Sequence, residues 1–386
     1  MTPRKFWAVV SVVFITTMLR PAVSAIGPIL SNLQAGLNLN PVQISLLASL
    51  PVLCFGLGAF AGPWMVERLG LHKAFGLVLA IITVGIAARV WFGYWPLLLL
   101  SIVVALAIAA ANVFFPTFIR AEFPNSIARL TAVYTTLLAL FAALASTASV
   151  PLTNVLGSWQ ASLALWALPG ILALLSWWML SRQSHDQEPQ AASVGHIDAN
   201  LWKHPLTWSI VGFFGIQSMN FYNTLSWLPT ILVSQGYSPQ AAGGFLGLNT
   251  IVGVPVGLLI TANLKRFKSI ATVVWLIGIV TAAGFVLYAM GPQFTLLALV
   301  LNGAGMASSF PVALALIGMK ASSAQQTTQL SAISQGFGYL VAAIGTFLAG
   351  FVFDLIHSWS VVLIALAVAA VAQSVAGAYA ARHRGI

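Results

Sequence analysis

The sequence predicts an all-α integral membrane protein, with twelve transmembrane helices in two pseudo-symmetric bundles of six. Three observations support this fold class. Sixty per cent of the 386 residues are hydrophobic and only 6% are charged, whereas an ordinary soluble domain carries about 25% charged residues. Apolar runs of about 20 residues, the length that crosses a hydrocarbon core, recur along the chain. Several short motifs of the first half also recur in the second half.

Twelve apolar runs are predicted to cross the membrane. None alternates in polarity over about 10 residues as a barrel strand does, so each is predicted to be a helix. The first run contains a sequence like a signal-peptide cleavage site, but Arg20 and Pro21 interrupt it, and we expect an uncleaved span. The predicted spans are residues 6–31, 41–66, 74–92, 96–119, 130–151, 160–181, 206–233, 240–263, 270–290, 294–318, 327–353 and 359–380.

The basic residues predict the orientation of the chain. If the N-terminus is cytoplasmic, the predicted outer loops contain no Lys or Arg, and the basic loops all lie on the inner side. Both termini are therefore predicted to be cytoplasmic, in a multi-pass protein of a bacterial inner membrane. The excess of 16 basic over 6 acidic residues has this cause, and it does not indicate binding of nucleic acid.

A polar stretch divides the chain into two predicted domains. Residues 182–205 are predicted to be a cytoplasmic linker between a first bundle, 1–181, and a second bundle, 206–386. The two halves share motifs at one constant offset. These are Gly58-x-x-x-Gly62 with Gly253-x-x-x-Gly257, and Phe115-Pro116 with Phe310-Pro311. The glycine pairs favour six-span repeats, although close helix packing alone would also explain them.

A capping residue followed by proline opens the second span of each half. These pairs are Asn40-Pro41 and Ser238-Pro239. Asn and Ser accept hydrogen bonds from the first turn of a helix, and proline is tolerated there because its missing N–H would have no partner. Helices are therefore predicted to begin at these two positions.

The segment after the second span carries a recognisable signature. It reads Gly62-Pro63-Trp64-Met65-Val66-Glu67-Arg68-Leu69-Gly70-Leu71-His72-Lys73 and resembles the major facilitator motif Gly-x-x-x-Asp-Arg-x-Gly-Arg-Lys. Arg68 and Gly70 match, whereas Glu67 replaces the usual Asp. The resemblance implies a charge network that latches the cytoplasmic side, so Glu67, Arg68, Gly70 and Lys73 are the predicted gating residues. A basic loop that only sets topology is the alternative.

Other segments resemble one family within this superfamily, that of the cyanate permease and the 2-nitroimidazole transporter. They include Leu19-Arg20-Pro21 with Ile26-Gly27-Pro28, Asn112-Val113-Phe114-Phe115-Pro116, and Ser226-Trp227-Leu228-Pro229. The similarity covers nearly the whole chain and is closer to the nitroimidazole branch. It implies a secondary transporter of a small, planar, anionic or nitrogen-containing solute. Transport would occur by alternating access, with the substrate site between the two halves.

Arg20 is the predicted anchor for the substrate. A charge at the centre of a span costs about 3 kcal/mol or more, so it usually faces a cavity or a ligand. The alternative is an arginine tied to backbone carbonyls where Pro21 and Pro28 break the helix. Arg89, in the third span, corresponds like Arg20 to an arginine of both branches. It is predicted either to bind substrate or to snorkel at the outer end.

Amides and aromatic rings complete the predicted substrate site. Gln217, Asn220, Thr224 and Trp227 share one face of the seventh span, and Phe221 and Tyr222 lie beside them. Asn112 and Gln335 match polar positions of the family. The alternative is that each amide ties two helices together and that each aromatic ring only packs.

The acidic residues bear on energy coupling. None of the six lies well inside a predicted span, so a dedicated proton relay is not expected. Facilitated efflux, exchange, or uptake in which the substrate brings its own proton is predicted instead. The absence of His-Glu-x-x-His and phosphate-loop motifs argues against an enzyme or an ATP-driven pump. We therefore predict no catalytic residues, metal or cofactor.

The predicted partners are a small-molecule substrate and the lipid bilayer, for a monomeric chain. The single cysteine, Cys54, excludes an intrachain disulfide. A multidrug exporter with a larger, more hydrophobic cavity is the main alternative function. A membrane sensor that transports nothing is the alternative from another class.

Overall fold

The computed structural model describes residues 3–182, 198–383 and 385, and these residues form helices joined by short turns. The all-helical prediction is confirmed for this part of the chain. Of the predicted linker, residues 183–197 lie outside the described residues, and so do the acids Asp186 and Glu188. Residues 199–203 of that linker form a short helix.

The first predicted span is broken into several pieces. Proline has no N–H to donate and clashes with the preceding turn, which favours a break at Pro21. The pieces are α1 (Pro3–Leu19), α2 (Pro21–Ser24), a 3₁₀ turn (Gly27–Ile29) and α3 (Leu30–Leu37).

The rest of the first half forms six further helices. Asn40 caps the first of them as predicted, because its side chain accepts from the backbone N–H of Gln43 and the Gln43 side chain accepts in return from Asn40. The helices are α4 (Pro41–Ala59), α5 (Ala61–Ala88), α6 (Tyr94–Glu122), α7 (Ile127–Leu156), α8 (Trp159–Leu165) and α9 (Leu168–Arg182).

The signature segment does not form the loop that separates the predicted second and third spans. Phe60, between α4 and α5, has helical backbone angles, so the second span continues past residue 66. Gly70 then breaks α5, with φ 75° and ψ 157°. This left-handed region is open to glycine because it has no Cβ. A single glycine therefore makes the turn between the predicted second and third spans, where a loop of several residues was expected.

The second half begins with α10 (Ala199–Lys203). Ser238 caps α12 as predicted, by accepting from the N–H of Ala241. The remaining helices are α11 (Pro205–Ser234), α12 (Pro239–Ala262), α13 (Ile270–Met290), α14 (Thr295–Lys320), α15 (Ala324–Ile356) and α16 (Trp359–Arg382), with 3₁₀ turns at Leu264–Arg266 and Pro292–Phe294.

Ten segments of the described chain are long and apolar enough to cross a membrane. The predicted spans 41–66 and 206–233 are not among the ten. The latter corresponds to α11, whose polar residues, Gln217, Asn220 and Asn223 among them, lower its mean hydropathy. The former corresponds to α4 and the first residues of α5. The count of twelve spans and the cytoplasmic termini stay predictions.

The chain forms two compact units. One comprises Met1–Glu122 with Tyr134–Ile197, and the other comprises Phe123–Val133 with Asp198–Ile386. In the first unit α6 packs against α4 and α5, and α9 packs against α1. In the second unit α11 packs against α15 and α16, and α13 packs against α14 and α16.

The repeated glycine pairs occupy equivalent packing positions in the two units. Gly58 and Gly62 face α6, where a Cβ on Gly58 would lie 2.8 Å from the Leu106 carbonyl oxygen. Gly253 and Gly257 face α14. Each pair therefore lets one helix approach the backbone of another, which is the use that small residues at this spacing have in membrane proteins.

Gly253→Ala tests this packing. We expect the variant to be less stable by about 1–3 kcal/mol, because the new methyl group would overlap the backbone of Gly303 and the side chain of Ala307. The measurement is the free energy of unfolding in detergent. Gly244→Ala on the same helix is the control, since a Cβ there meets nothing within 4 Å. Equal stability of both variants would contradict the packing argument.

Candidate functional site

The break in the first span exposes backbone carbonyls that need partners. In lipid there is no water to bind them, so irregular backbone must find its hydrogen bonds within the protein. The Arg20 carbonyl accepts from the N–H groups of Val23 and Ser24, and the Pro21 carbonyl accepts from Ala25. Ile26 donates to Val23, one residue short of a helical bond. The Ala22 carbonyl is thereby left without its helical donor.

Arg89 supplies the missing donor. Its Nη2 donates to the Ala22 carbonyl oxygen at 2.8 Å, and its Nη1 donates to Ser101 Oγ on α6 at 3.3 Å. The side chain is only 1% exposed. Arg89 follows the end of α5, so one guanidinium links α5, α6 and the broken segment. Ser146 on α7 adds a second support, because its Oγ donates to the Ser24 carbonyl oxygen at 3.2 Å.

Arg89 therefore has the contact that the sequence analysis offered as the alternative for Arg20. It binds a backbone carbonyl at the break, and it is buried inside the first unit. A snorkelling side chain would instead reach toward the surface. The sequence identified two arginines in spans but did not tell which of them would hold the backbone.

Arg20 lies at the break itself, between α1 and α2, and is half-buried. Its positive charge acts on the hydroxyl of Tyr134, on α7. That hydroxyl donates to Asn112 Oδ1 on α6 at 2.9 Å, and the Tyr134 ring stacks on Phe115 with centroids 3.5 Å apart. Tyr134 is thus hydrogen-bonded to Asn112 and lies within electrostatic range of Arg20, both predicted site residues.

Tyr134 was not predicted as a site residue. No motif marks it, and a tyrosine inside an apolar run is as compatible with simple packing as with a functional role. The only signal in the sequence is a phenol hydroxyl inside an apolar run. Such a hydroxyl usually needs a hydrogen-bond partner when it is buried. We name Arg20, Asn112 and Tyr134 the arginine cluster.

A cavity of about 180 Å³ adjoins the break on the side of α4 and α7. Its lining is mostly apolar, with the hydroxyls of Ser24 and Ser146 as polar groups. The residues that line it are Val23, Ser24, Ile26, Gly27, Pro28, Leu47, Pro51 and Ser146. The break therefore creates space within the first unit as well as irregular backbone.

The predicted amides of the second unit are buried and hydrogen-bonded. Gln217 Nε2 donates to Ser218 Oγ at 2.6 Å, and Gln335 Nε2 donates to Ser331 Oγ at 2.7 Å. Asn220 on α11 donates through Nδ2 to Gln373 Oε1 on α16 at 3.5 Å. Asn220 therefore links two helices, which is the structural role that the sequence analysis held open for buried amides.

The aromatic residues predicted on α11 have different surroundings. Trp227 donates through Nε1 to the Thr346 carbonyl at 3.1 Å and packs against Trp359. Tyr222 is half-buried beside Tyr339, with ring centroids 6.4 Å apart. Phe221 is 40% exposed. Phe221 packs edge-on against Tyr222, with ring centroids 5.4 Å apart, whereas Trp227 packs against Trp359 instead.

One of the four predicted gating residues, Gly70, breaks α5, and the other three lie within three residues of it in the chain. Arg68 lies 5.2 Å from the centroid of the Trp64 ring, a cation–π distance. Glu67 is half-buried, and no ion pair of Glu67 occurs among the described residues. A different ion pair joins Arg4, near the start of α1, to Glu122, the last residue of α6, at 2.7 Å. Sequence reasoning missed this pair because its members are far apart in the chain.

The chain was compared with known proteins. The family profile of the Major Facilitator Superfamily matches residues 12–334. The "Uncharacterized transporter YycB" of Bacillus subtilis is 33% identical, over 99% of this chain and 95% of that protein. The "2-nitroimidazole transporter" of Escherichia coli is 32% identical over 98% and 96%, and the "Cyanate transport protein CynX" of Escherichia coli is 25% identical over 88% of each. The predicted family resemblance is confirmed.

Solved structures agree in fold. The transporter FucP in its outward conformation aligns with a TM-score of 0.76 at 15% identity, over 99% of both chains. The human organic anion transporter MFSD10 aligns with a TM-score of 0.75 at 15% identity, over 98% of this chain and all of that one. At this identity the likeness concerns the fold alone.

Arg89→Met tests the link to the broken segment. We expect a loss of about 1–3 kcal/mol in the free energy of unfolding, because the Ala22 carbonyl would be buried without a donor. The exposed Arg129, replaced in the same way, is the control and should change stability by no more than about 0.5 kcal/mol. An Arg89→Met protein of wild-type stability that no longer binds a transported solute would instead make Arg89 a ligand-binding residue.

Proposed function

The chain belongs to the major facilitator superfamily of transporters, and from this premise we propose that it is a secondary transporter of a small planar solute. The solute is anionic or nitrogen-containing, like cyanate or a nitroimidazole, and it crosses a bacterial inner membrane by alternating access. We propose Arg20 as the residue that anchors it, with Asn112 beside it.

The arginine cluster is the observation that carries this proposal. A guanidinium is planar, always charged, and able both to donate paired hydrogen bonds and to stack on flat groups. Arg20 lies where the helix is broken, and broken helices are where transporters of several folds place their substrates. Arg89 holds the Ala22 carbonyl at the same break.

The named relatives support the solute class. One is called a 2-nitroimidazole transporter and another a cyanate transport protein, and both of those solutes are small and rich in nitrogen. They also share a planar or linear electron-rich group that a guanidinium can bind. We extend this class to the present chain as a proposal, with the higher identity, 32%, on the nitroimidazole side.

We further propose that Glu67, Arg68, Gly70 and Lys73 gate the cytoplasmic side. Gly70 provides a break with φ 75° between two helical segments, which concentrates the bend at one residue. Glu67 and Arg68 lie before this break and Lys73 lies three residues after it, so a change in the bend at Gly70 would change the distance between the acid and Lys73.

Arg20→Met tests the anchor. We expect the affinity for the transported solute to fall at least about tenfold, since a charge-assisted contact is lost. Binding of cyanate, nitrate, acetate and 2-nitroimidazole to purified protein is the measurement. Arg20→Lys should restore only part of the affinity, because an ammonium lacks the planar fork. Arg129→Met is the unaffected control.

Two results would contradict the anchor or the solute class. Full affinity in Arg20→Met would leave Arg20 with a structural role alone. Tight binding of bulky lipophilic compounds by the wild type, with none of the four solutes bound, would favour the multidrug exporter.

The described acids support transport without a dedicated proton relay. Glu67 lies near Gly70, Glu122 ends α6, Asp198 precedes α10 and Asp354 lies in the last turn of α15. None of these four lies in the middle of a spanning helix, where a proton-carrying group is needed. Export of a monovalent anion would instead gain about 2.3 kcal/mol per 100 mV of membrane potential.

Flux into proteoliposomes tests this coupling. We expect the flux of a solute that cannot be protonated to be unchanged by an imposed pH gradient. For a monovalent anion such as nitrate, a potential of about 100 mV, negative inside, should shift the distribution about 50-fold toward the outside. Proton movement in fixed proportion to the solute would contradict the proposal. Liposomes without protein are the control for leakage.

A further inference from the structure

One turn of α11 contains three buried oxygen atoms without hydrogen-bond partners among the described residues. They are Asn220 Oδ1, Asn223 Oδ1 and Thr224 Oγ1. Asn220 and Asn223 are each 1% exposed and Thr224 is 6% exposed. Residues three and four apart lie on one side of a helix, so the three side chains are neighbours.

The orientation of the Asn220 amide follows from its partners. Ser309 Oγ on α14 donates to the Gly305 carbonyl oxygen at 3.0 Å, so it has no second proton to donate and must accept from Gln373 Nε2, also at 3.0 Å. Gln373 therefore presents Oε1 to Asn220, and Asn220 must turn its NH₂ group toward Gln373. Its oxygen, Oδ1, is left on the other side.

Asn223 is oriented by a simpler contact. Its Nδ2 lies 2.9 Å from the carbonyl oxygen of Met219, and only a donor fits there. In both amides the NH₂ group thus donates a hydrogen bond, while the oxygen has no donor among the described residues. Two carbonyl oxygens are acceptors only, and Thr224 adds a hydroxyl that can accept or donate.

Buried acceptors without donors are unfavourable and rare, and a transporter offers a specific reason to retain them, a ligand that supplies the donors. We propose that this turn of α11 binds an N–H group of the transported solute. The substrate class is then a small planar heterocycle with a ring N–H, and it excludes bare anions such as cyanate and nitrate, which have no proton to donate.

Gln373 and Ser309 are positioning residues in this proposal. They touch no solute, but they hold the Asn220 oxygen as an acceptor. The inference rests on the proposed transport function and adds to it the choice between its two solute types. Neither residue belongs to a motif of the sequence analysis, and the three helices that carry them and Asn220 meet only in the folded second unit.

The test compares two solutes that differ at one atom. 2-Nitropyrrole has a ring N–H, and 2-nitrofuran has an oxygen in its place. We expect purified wild-type protein to bind 2-nitropyrrole at least about tenfold more tightly, because a site built for a donor rejects the analogue that lacks it. 2-Nitroimidazole should bind like 2-nitropyrrole, and cyanate should bind weakly.

The variants assign this preference to α11. Asn220→Leu should bring the ratio of the two affinities close to one, mainly by weakening 2-nitropyrrole. Gln373→Met, similar in size, should shrink the ratio as well, which a merely structural role would not do. Thr261→Val is the control, because Thr261 has a buried hydroxyl without a described partner elsewhere in the same unit. Thermal unfolding of each variant shows that it is folded.

Three results would overturn the inference. The first is equal wild-type affinity for the two analogues, and the second is a ratio that survives in Asn220→Leu. The third is solute binding that requires Na⁺ and has the same affinity with or without a ring N–H. The three oxygens would then be assigned to the binding of a cation. If cyanate binds through Arg20 and no heterocycle binds, this inference fails while the proposed function stands. If no solute of either type binds, both fail.

Discussion

The hydrogen bond from the Arg89 guanidinium to the Ala22 carbonyl is the interaction on which the broken segment of the first unit depends. A membrane-spanning helix can be broken only where the freed polar groups find partners inside the protein. Here a guanidinium at the end of α5 supplies the donor, and Ser146 supplies another for Ser24. The break can then persist, and with it the position of Arg20 and the adjoining cavity.

The two units accommodate buried polar side chains in different ways. The first unit uses two arginines, one bound to backbone and the other acting on Tyr134. The second unit uses neutral amides and hydroxyls, linked across α11, α14 and α16. A charge attracts an anionic group, whereas an oriented amide discriminates by the presence of a proton. A transporter with both kinds of group can separate attraction of its solute from recognition of it.

Much of the fold was predictable, and particular parts of the site were not. The caps at Asn40 and Ser238 were predicted correctly, since capping acts within one turn, whereas a break at Pro21 entered only in the alternative for Arg20. The prediction of a loop at residues 67–73, between the second and third spans, was wrong, because Gly70 alone makes the turn. Tyr134, Asn223, Gln373 and Ser309 were missed, since apolar spans contain many such residues and only their neighbours distinguish them.

The sequence by itself determined the class of protein, the presence of long apolar helices and the two arginines within them. Those properties follow from hydropathy and from the cost of charge in lipid, which are local to each segment. The tertiary structure decided that Arg89 binds the Ala22 carbonyl and that Asn220 turns its NH₂ group toward Gln373. These choices depend on the partner that another segment presents, and no residue specifies by itself a partner 67 or 153 positions away in the chain.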